Sequence, residues 1–220
     1  MTKKRKAQTK QWLAQHVSDP FVKQAQKQGF RSRAAYKLLE LQEKHRFMQR
    51  GMVVMDLGSA PGSWSQVARD YVGPTGKVIA VDILEMDSIP DVLFLQGDFT
   101  HDATRVWLQE QLVQQQKAFA HVVLSDMSPN LSGIWSADQA RALDLAEQVW
   151  WFAQTHLITG GTMLIKIFQG TGIDQFVKEL KTHFHKVILH KPKASRPQSR
   201  EFYLLALNFA GGGCSFGTLD

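Results

Sequence analysis

Five short apolar runs, each strand-sized, constrain this chain more than any other feature. MVVMDLG (52–58), KVIAVDI (77–83), DVLFLQG (91–97), HVVLSD (121–126) and GTMLIKIF (161–168) are rich in β-branched and apolar residues. Helical stretches lie near 63–71, 101–117, 137–158 and 173–183, between these runs or just after the last. Strands alternating with helices predict βαβ units, hence an α/β fold with a parallel sheet covered on both faces. Two further strands, KVILHKP (186–192) and EFYLLALNF (201–209), follow without a helix between them. A connection that short makes them antiparallel. Ahead of the first strand, RSRAAYKLLELQEKHR (31–46) reads as a helix. Ala34, Leu38 and Leu41 form its apolar stripe with Ala35 and Leu39 beside them, and Arg33, Lys37, Glu40 and Lys44 form the opposite, charged face.

The fifth run holds an anomaly. In TMLIKIF, alternation puts Leu164, Lys166 and Phe168 on one face and Met163, Ile165 and Ile167 on the other, and both faces look like core. An unpaired ammonium there would cost several kcal/mol, on the order expected for a buried ion. Lys166 therefore needs partners. In an open parallel sheet, ligands bind beyond the carboxyl ends of the strands, and Lys166 lies close to that end. So do Asp82, Asp98 and Asp126, at the ends of strands two, three and four. An antiparallel last strand begins at the same edge, which adds Glu201. Strand one runs into DLGSAPGSW, where Gly58 and Gly62 allow a tight turn and a close backbone approach to a ligand. An acid about 20 residues past such a turn can accept hydrogen bonds from ribose hydroxyls, the role expected of Asp82. Three successive aspartates after a glycine turn suit an adenosine-type cofactor. The alternative for Lys166, a structural ion pair or a side chain snorkelling to the sheet edge, stays open on pattern alone.

Charge separates the ends of the chain. Residues 1–50 carry 13 Lys and Arg against 3 acids, whereas residues 51–220 carry 13 against 17. A basic region on a slightly acidic domain suggests a polyanionic partner, nucleic acid before membrane. The excess continues through Lys23, Lys27, Arg31, Arg33 and Lys37, interleaved with Phe21, Phe30 and Tyr36. Cys214 is the single cysteine, so no internal disulfide and no cysteine-based zinc site is possible, and no metal is expected. The apolar runs fall far short of the ~20 residues of a membrane helix, and MTKKRKAQTK precedes no signal-peptide core. A cytoplasmic protein is expected. The tail AGGGCSFGTLD has little apolar surface to pack.

The motifs DLGSAPGSWSQ, VDI, GDFT, VVLSDMSPN, LIKIFQG and SRPQSREFY resemble, in order and register, the FtsJ/RrmJ family of S-adenosylmethionine-dependent ribosomal RNA 2′-O-ribose methyltransferases. The resemblance implies a Rossmann-like methyltransferase fold, a seven-stranded sheet with the last strand antiparallel. The resemblance spans an expected methyltransferase domain over 31–210; charge and composition, not the resemblance, mark a basic arm over residues 1–30 and a flexible tail over 211–220. It implies a catalytic tetrad of Lys37, Asp126, Lys166 and Glu201, with Lys166 the proton acceptor; helical periodicity alone leaves Lys37 an ordinary solvated charge. Gly58, Gly62 and Trp64 would line the methionine side of the cofactor. Asp82 would hold the ribose hydroxyls, Asp98 the adenine amino group, and Asp126 would lie beside the sulfonium and the substrate sugar. The implied partner is ribosomal RNA, at a uridine of the peptidyl-transferase A-loop in an assembled large subunit, met by a monomer. Lys191, Lys193, Arg196 and Arg200 would help capture it. Related enzymes act on transfer RNA or messenger caps, but a compact chain without further domains favours the ribosomal target. An NAD-dependent oxidoreductase also needs a strand, a glycine turn and a later acid. The G-x-x-x-G spacing and the lack of a second phosphate-binding turn argue against it. A non-catalytic RNA-binding module would not be expected to fill all four tetrad positions.

Overall fold

The computed structural model of the chain describes residues 19–115, 118–129, 132–196 and 198–211. In chain order its elements are α1 (Pro20–Gln28), α2 (Ala35–His45), β1 (Val53–Leu57), α3 (Ser63–Val72), β2 (Lys77–Asp82), β3 (Val92–Gln96) and α4 (Asp102–Gln114). There follow β4 (Ala120–Ser125), α5 (Trp135–His156), β5 (Leu157–Phe168), α6 (Ile173–His183), β6 (Phe184–His190) and β7 (Glu201–Phe209). The strands form one sheet in the order β3-β2-β1-β4-β5-β7-β6. β1 to β5 pair in parallel, and β7 lies antiparallel to both β5 and β6. The expected architecture is present, including the reversed last strand.

Alternation along the central strands builds two cores. Met55, Leu57, Ile79, Val81, Val123, Met163, Ile165 and Ile167 face α4, α5 and α6, against Leu108, Leu112, Phe152, Phe176 and Leu180. Val54, Val78, Val122, Leu124, Leu164, Tyr203 and Leu205 face α2 and α3, against Leu38, Leu41, Trp64, Val67 and Ala68. Each fully buried aliphatic side chain contributes about 1.5–3 kcal/mol, so this two-sided burial stabilises the fold. Lys166 shares the face of Leu164 and therefore looks toward α2.

Local differences from the sequence reading have physical causes. β5 starts at Leu157, not 161, because the chain leaves α5 directly into a pairing of Leu157 with Ala120, then bulges before Thr162 joins Val122. The helix expected from residue 31 starts at Ala35, since Arg31–Ala34 form a turn in which the Ser32 hydroxyl accepts from the Ala34 N–H at 3.2 Å. α1 was not anticipated, although its signals are in the chain. Asp19 caps it by accepting from the Phe21 N–H at 2.9 Å, Pro20 opens it, and Gly29 closes it in the left-handed region at φ 77°. Its Val22 and Ala25 are buried, so the second part of the expected basic arm packs on the domain. Residues 1–18 and 212–220 lie outside the described residues.

Part of the basic excess also serves to hold the fold together. Arg31 donates to the carbonyls of Pro61, Asp87 and Ser88 at 2.9, 2.7 and 2.8 Å, tying the glycine turn to the loop after β2. Arg33 pairs with Asp19 and donates to the Ala194 carbonyl. Neither guanidinium is simply presented to a polyanion, as the charge count suggested. Arg31→Ala should therefore lower stability by about 1–3 kcal/mol for lost charged hydrogen bonds. A denaturant titration of the two proteins checks this expectation.

Candidate active site

At the carboxyl edge of the sheet, four charged side chains from four elements meet. Lys166 enters from β5 and Asp126 follows β4. Their Nζ and Oδ1 atoms are 3.1 Å apart, and the same ammonium donates to the Asp126 carbonyl at 2.5 Å. Lys37 arrives from α2, with Nζ 2.9 Å from Glu201 Oε1 and 3.9 Å from Asp126 Oδ1. Register explains the meeting: Lys166 lies opposite Tyr203 and Phe168 opposite Glu201. Side chains of Lys37, Lys166, Asp126 and Glu201 are only 10%, 7%, 18% and 12% exposed. Lys37 is thus a buried charge rather than part of a solvated helix face. A fifth group, absent from the sequence reading, completes the cluster. Tyr203 is fully buried and donates its hydroxyl to Asp126 Oδ1, with Lys37 Nζ 5.3 Å above its ring. Burial pushes the Asp126 carboxyl up. The charges of Lys166 and Lys37 and the hydrogen bonds from Tyr203 and Lys166 outweigh it, holding Asp126 below the usual carboxylate range. The same burial and the nearby carboxylates push the Tyr203 phenol well up, so it stays protonated.

A cleft of about 790 Å³ opens beside this cluster, walled by Gly58, Asp82, Asp98, Phe99, Met127 and Leu145 among others. Asp82 is held by the Ala60 and Leu84 N–H groups, each donating at 2.8 Å to a different carboxylate oxygen. Each oxygen keeps a lone pair for a further donor. Asp98 accepts from the N–H and hydroxyl of Thr100 at 2.9 and 2.6 Å. Burial raises the Asp98 carboxyl, but the Thr100 bonds and nearby His101 and Arg105 bring it below its ordinary value. Gly58 and Gly62 stand at φ 72° and 104°, and a Cβ on Gly58 would strike Met127 Cγ at 1.8 Å. Trp64 is buried, donates its indole N–H to the Ala34 carbonyl at 2.9 Å, and lies 5.7 Å from the Tyr203 ring. It borders a small cavity with Asp56, Gly58, Ser59 and Asp126 that lies between the glycine turn and the tetrad. The buried Ser59 hydroxyl has no hydrogen-bond partner, so a polar ligand would satisfy it. The donor set thus fits a nucleoside with a polar, charged extension. Among the described residues no group of three or more His, Cys, Asp or Glu could hold a metal ion, and no helix is long and apolar enough to cross a membrane.

Asp56 is a further buried acid here. Desolvation pushes its carboxyl up to about 7, against the 2.6 Å hydrogen bond it receives from the Ser65 hydroxyl, and Asp126 and Asp82 push the same way. A carboxyl raised on folding keeps its proton in the native state where the unfolded chain releases it. Its contribution is therefore complete below pH 3.8 and is lost as pH rises to about 7. Asp56→Asn, neutral throughout, should gain stability relative to the wild type across that interval, by a few kcal/mol on the order of magnitude of the shift. Urea midpoints of both proteins measured from pH 4 to 7 test this; parallel curves would mean Asp56 is ionised throughout.

The FtsJ-like methyltransferase family profile matches residues 30–209. A Pseudomonas paraeruginosa protein named ribosomal RNA large subunit methyltransferase E is 52% identical over 203 residues, which are 92% of this chain and 97% of the relative. A Coxiella burnetii protein of the same name is 48% identical over 206 residues, 92% and 96% of the two chains. A crystal structure of a Plasmodium falciparum protein assigned as a ribosomal RNA methyltransferase is 32% identical and superposes with a TM-score of 0.73, covering 83% of this chain and all of that one. With sheet order, strand-end acids and family profile in agreement, the chain belongs to the FtsJ-like methyltransferase family.

Proposed function

We propose that this protein transfers a methyl group from S-adenosylmethionine to a ribose 2′-hydroxyl of large-subunit ribosomal RNA, with a uridine of the peptidyl-transferase A-loop as target. The observation that carries the reading is the convergence of Lys37, Asp126, Lys166 and Glu201 at the end of a nucleoside-sized cleft. The names of the relatives support the ribosomal target.

In this reading Asp82 accepts from the cofactor ribose, Asp98 from the adenine amino group, and Gly58, Gly62 and Trp64 line its methionine end. When bound, S-adenosylmethionine supplies a methyl group already activated by the sulfonium charge. The protein's work is then alignment of the hydroxyl and removal of its proton. Lys166 is the group placed to take that proton, which it can do only when neutral. Asp126 fixes the lysine through its carboxylate and its carbonyl, and favours a positive centre beside it. Glu201 and Lys37 hold one another and, with Arg33, Arg196 and Ser199, border a separate cavity of about 410 Å³, which this reading assigns to the substrate side. Comparing 2′-O-methylation across ribosomal RNA from cells with and without the protein tests the target. A map without a missing methyl group would overturn it.

Two substitutions test the roles. Lys166→Ala should lower single-turnover methyl transfer by about 10²–10⁴ while cofactor still binds. Lys166→Arg should be nearly as slow, because a guanidinium keeps its proton near neutrality. An arginine variant close to wild type would leave Lys166 a positioning charge. Asp82→Ala should weaken S-adenosylmethionine binding by about 1–3 kcal/mol in a calorimetric titration. Unchanged affinity would move the ribose contact elsewhere.

A further inference from the structure

Where the chain enters α5, two large apolar side chains stand partly in solvent: Ile134 is 63% exposed and Trp135 49%. Their exposure is built. The Asp138 carboxylate accepts from the Ser132 N–H and hydroxyl, both at 2.7 Å, and from the Gly133 N–H at 3.0 Å, while the Asp138 N–H donates to the Ile134 carbonyl at 2.9 Å. Those backbone and hydroxyl donors hold the Asp138 carboxyl below its usual range. The turn that presents the indole is therefore fixed.

Arg200 completes the arrangement, with its guanidinium carbon 4.2 Å from the centroid of the Trp135 ring. Its own backbone is anchored, since the Gln169 N–H donates to the Arg200 carbonyl at 3.1 Å and the Gln139 side chain donates to the Gln169 carbonyl at 3.2 Å. These bonds lace the start of α5, the end of β5 and the approach to β7 into one rim. The next residue, Glu201, belongs to the tetrad, and Lys166 lies two residues before the end of β5. The guanidinium lies over one face of the indole, and about half of the residue remains exposed. Lys193 and Arg196 stand on the same loop as Arg200, and Arg196 borders the substrate-side cavity. A polarised aromatic plane beside cationic groups is the chemistry that holds unpaired RNA bases. They stack on aromatic rings and guanidinium planes, and neighbouring cations meet their phosphates.

We propose that Trp135, backed by Arg200, is a stacking platform for an unpaired base of the RNA substrate, beside the nucleotide whose ribose is methylated. The inference rests on the proposed RNA methyl transfer and names a contact that reaction alone does not require. A ring shielded only by its own arginine is the competing account.

The test is single-turnover methyl transfer at saturating S-adenosylmethionine. Its substrate is large ribosomal subunits isolated from cells lacking the protein. Trp135→Ala should raise the half-saturating subunit concentration roughly 5- to 100-fold, the loss expected for one stacked base. Rate at saturation, calorimetric cofactor affinity and melting temperature should stay near wild type, and Trp135→Phe should recover most of the affinity. Fluorescence anisotropy of a labelled single-stranded oligouridylate should show a parallel loss for Trp135→Ala. An alanine variant with unchanged half-saturation overturns the platform. A loss seen on subunits but not on the oligouridylate also overturns it, assigning the rim to a ribosomal protein. Absence of methyl transfer by the wild type instead overturns the proposed function, so the two failures are distinguishable.

Discussion

The charged cluster at the carboxyl edge of the sheet is organised around the Asp126 carboxylate. Taken out of water alone, it would protonate or drive the loop outward. It stays ionised because Lys166, Lys37 and the Tyr203 hydroxyl converge on it. Such a cluster is a poor source of net stability, since desolving several charges consumes most of the attraction gained. The cores on the two sheet faces supply the stability that tolerates it. Its return is positional: each partner of Asp126 is held within ångströms of the others by a different secondary-structure element.

The reversal of β7 makes that convergence possible. Were β7 parallel, its first residues would lie at the amino edge of the sheet, far from Asp126. Running antiparallel, it sets Tyr203 beside Lys166 and Glu201 beside Phe168. α2 then docks on the same face through Leu38 and Leu41, carrying Lys37 over the Tyr203 ring. The charged cluster and the hydrophobic packing therefore share residues, and Tyr203 belongs to both.

Charge has two destinations in this protein. Part of the basic excess holds the fold together: Arg31 laces the glycine turn and Arg33 ties Asp19 to the Ala194 loop. Glu40 adds a similar tie on the other side. Its carboxylate accepts from the His190 ring at 2.9 Å and the Lys193 N–H at 2.8 Å. The loop bearing Lys193, Arg196 and Arg200 is thus fastened to α2 at its start and to β5 at its end. The cationic rim of the cleft is consequently held in place, which suits recognition of a folded RNA surface.

The sequence by itself determined the α/β rhythm, the antiparallel last strand and the edge at which Asp82, Asp98, Asp126, Lys166 and Glu201 collect. Each of these follows from strand periodicity and connection length, which are local. Periodicity misjudged Lys37, because it reports which face of a helix is polar and not what that face meets; only resemblance to known motifs singled the residue out. The cap and stop of α1 were legible in Asp19, Pro20 and Gly29, but its weak apolar stripe concealed them. Tertiary structure alone decided that Tyr203 binds Asp126, that Arg31 serves the backbone, that Asp56 is buried deeply enough to hold its proton near neutrality, and that Trp135 lies under Arg200. Each depends on contacts between residues far apart in the chain, where burial and pairing, rather than residue type, set the energy of a charge.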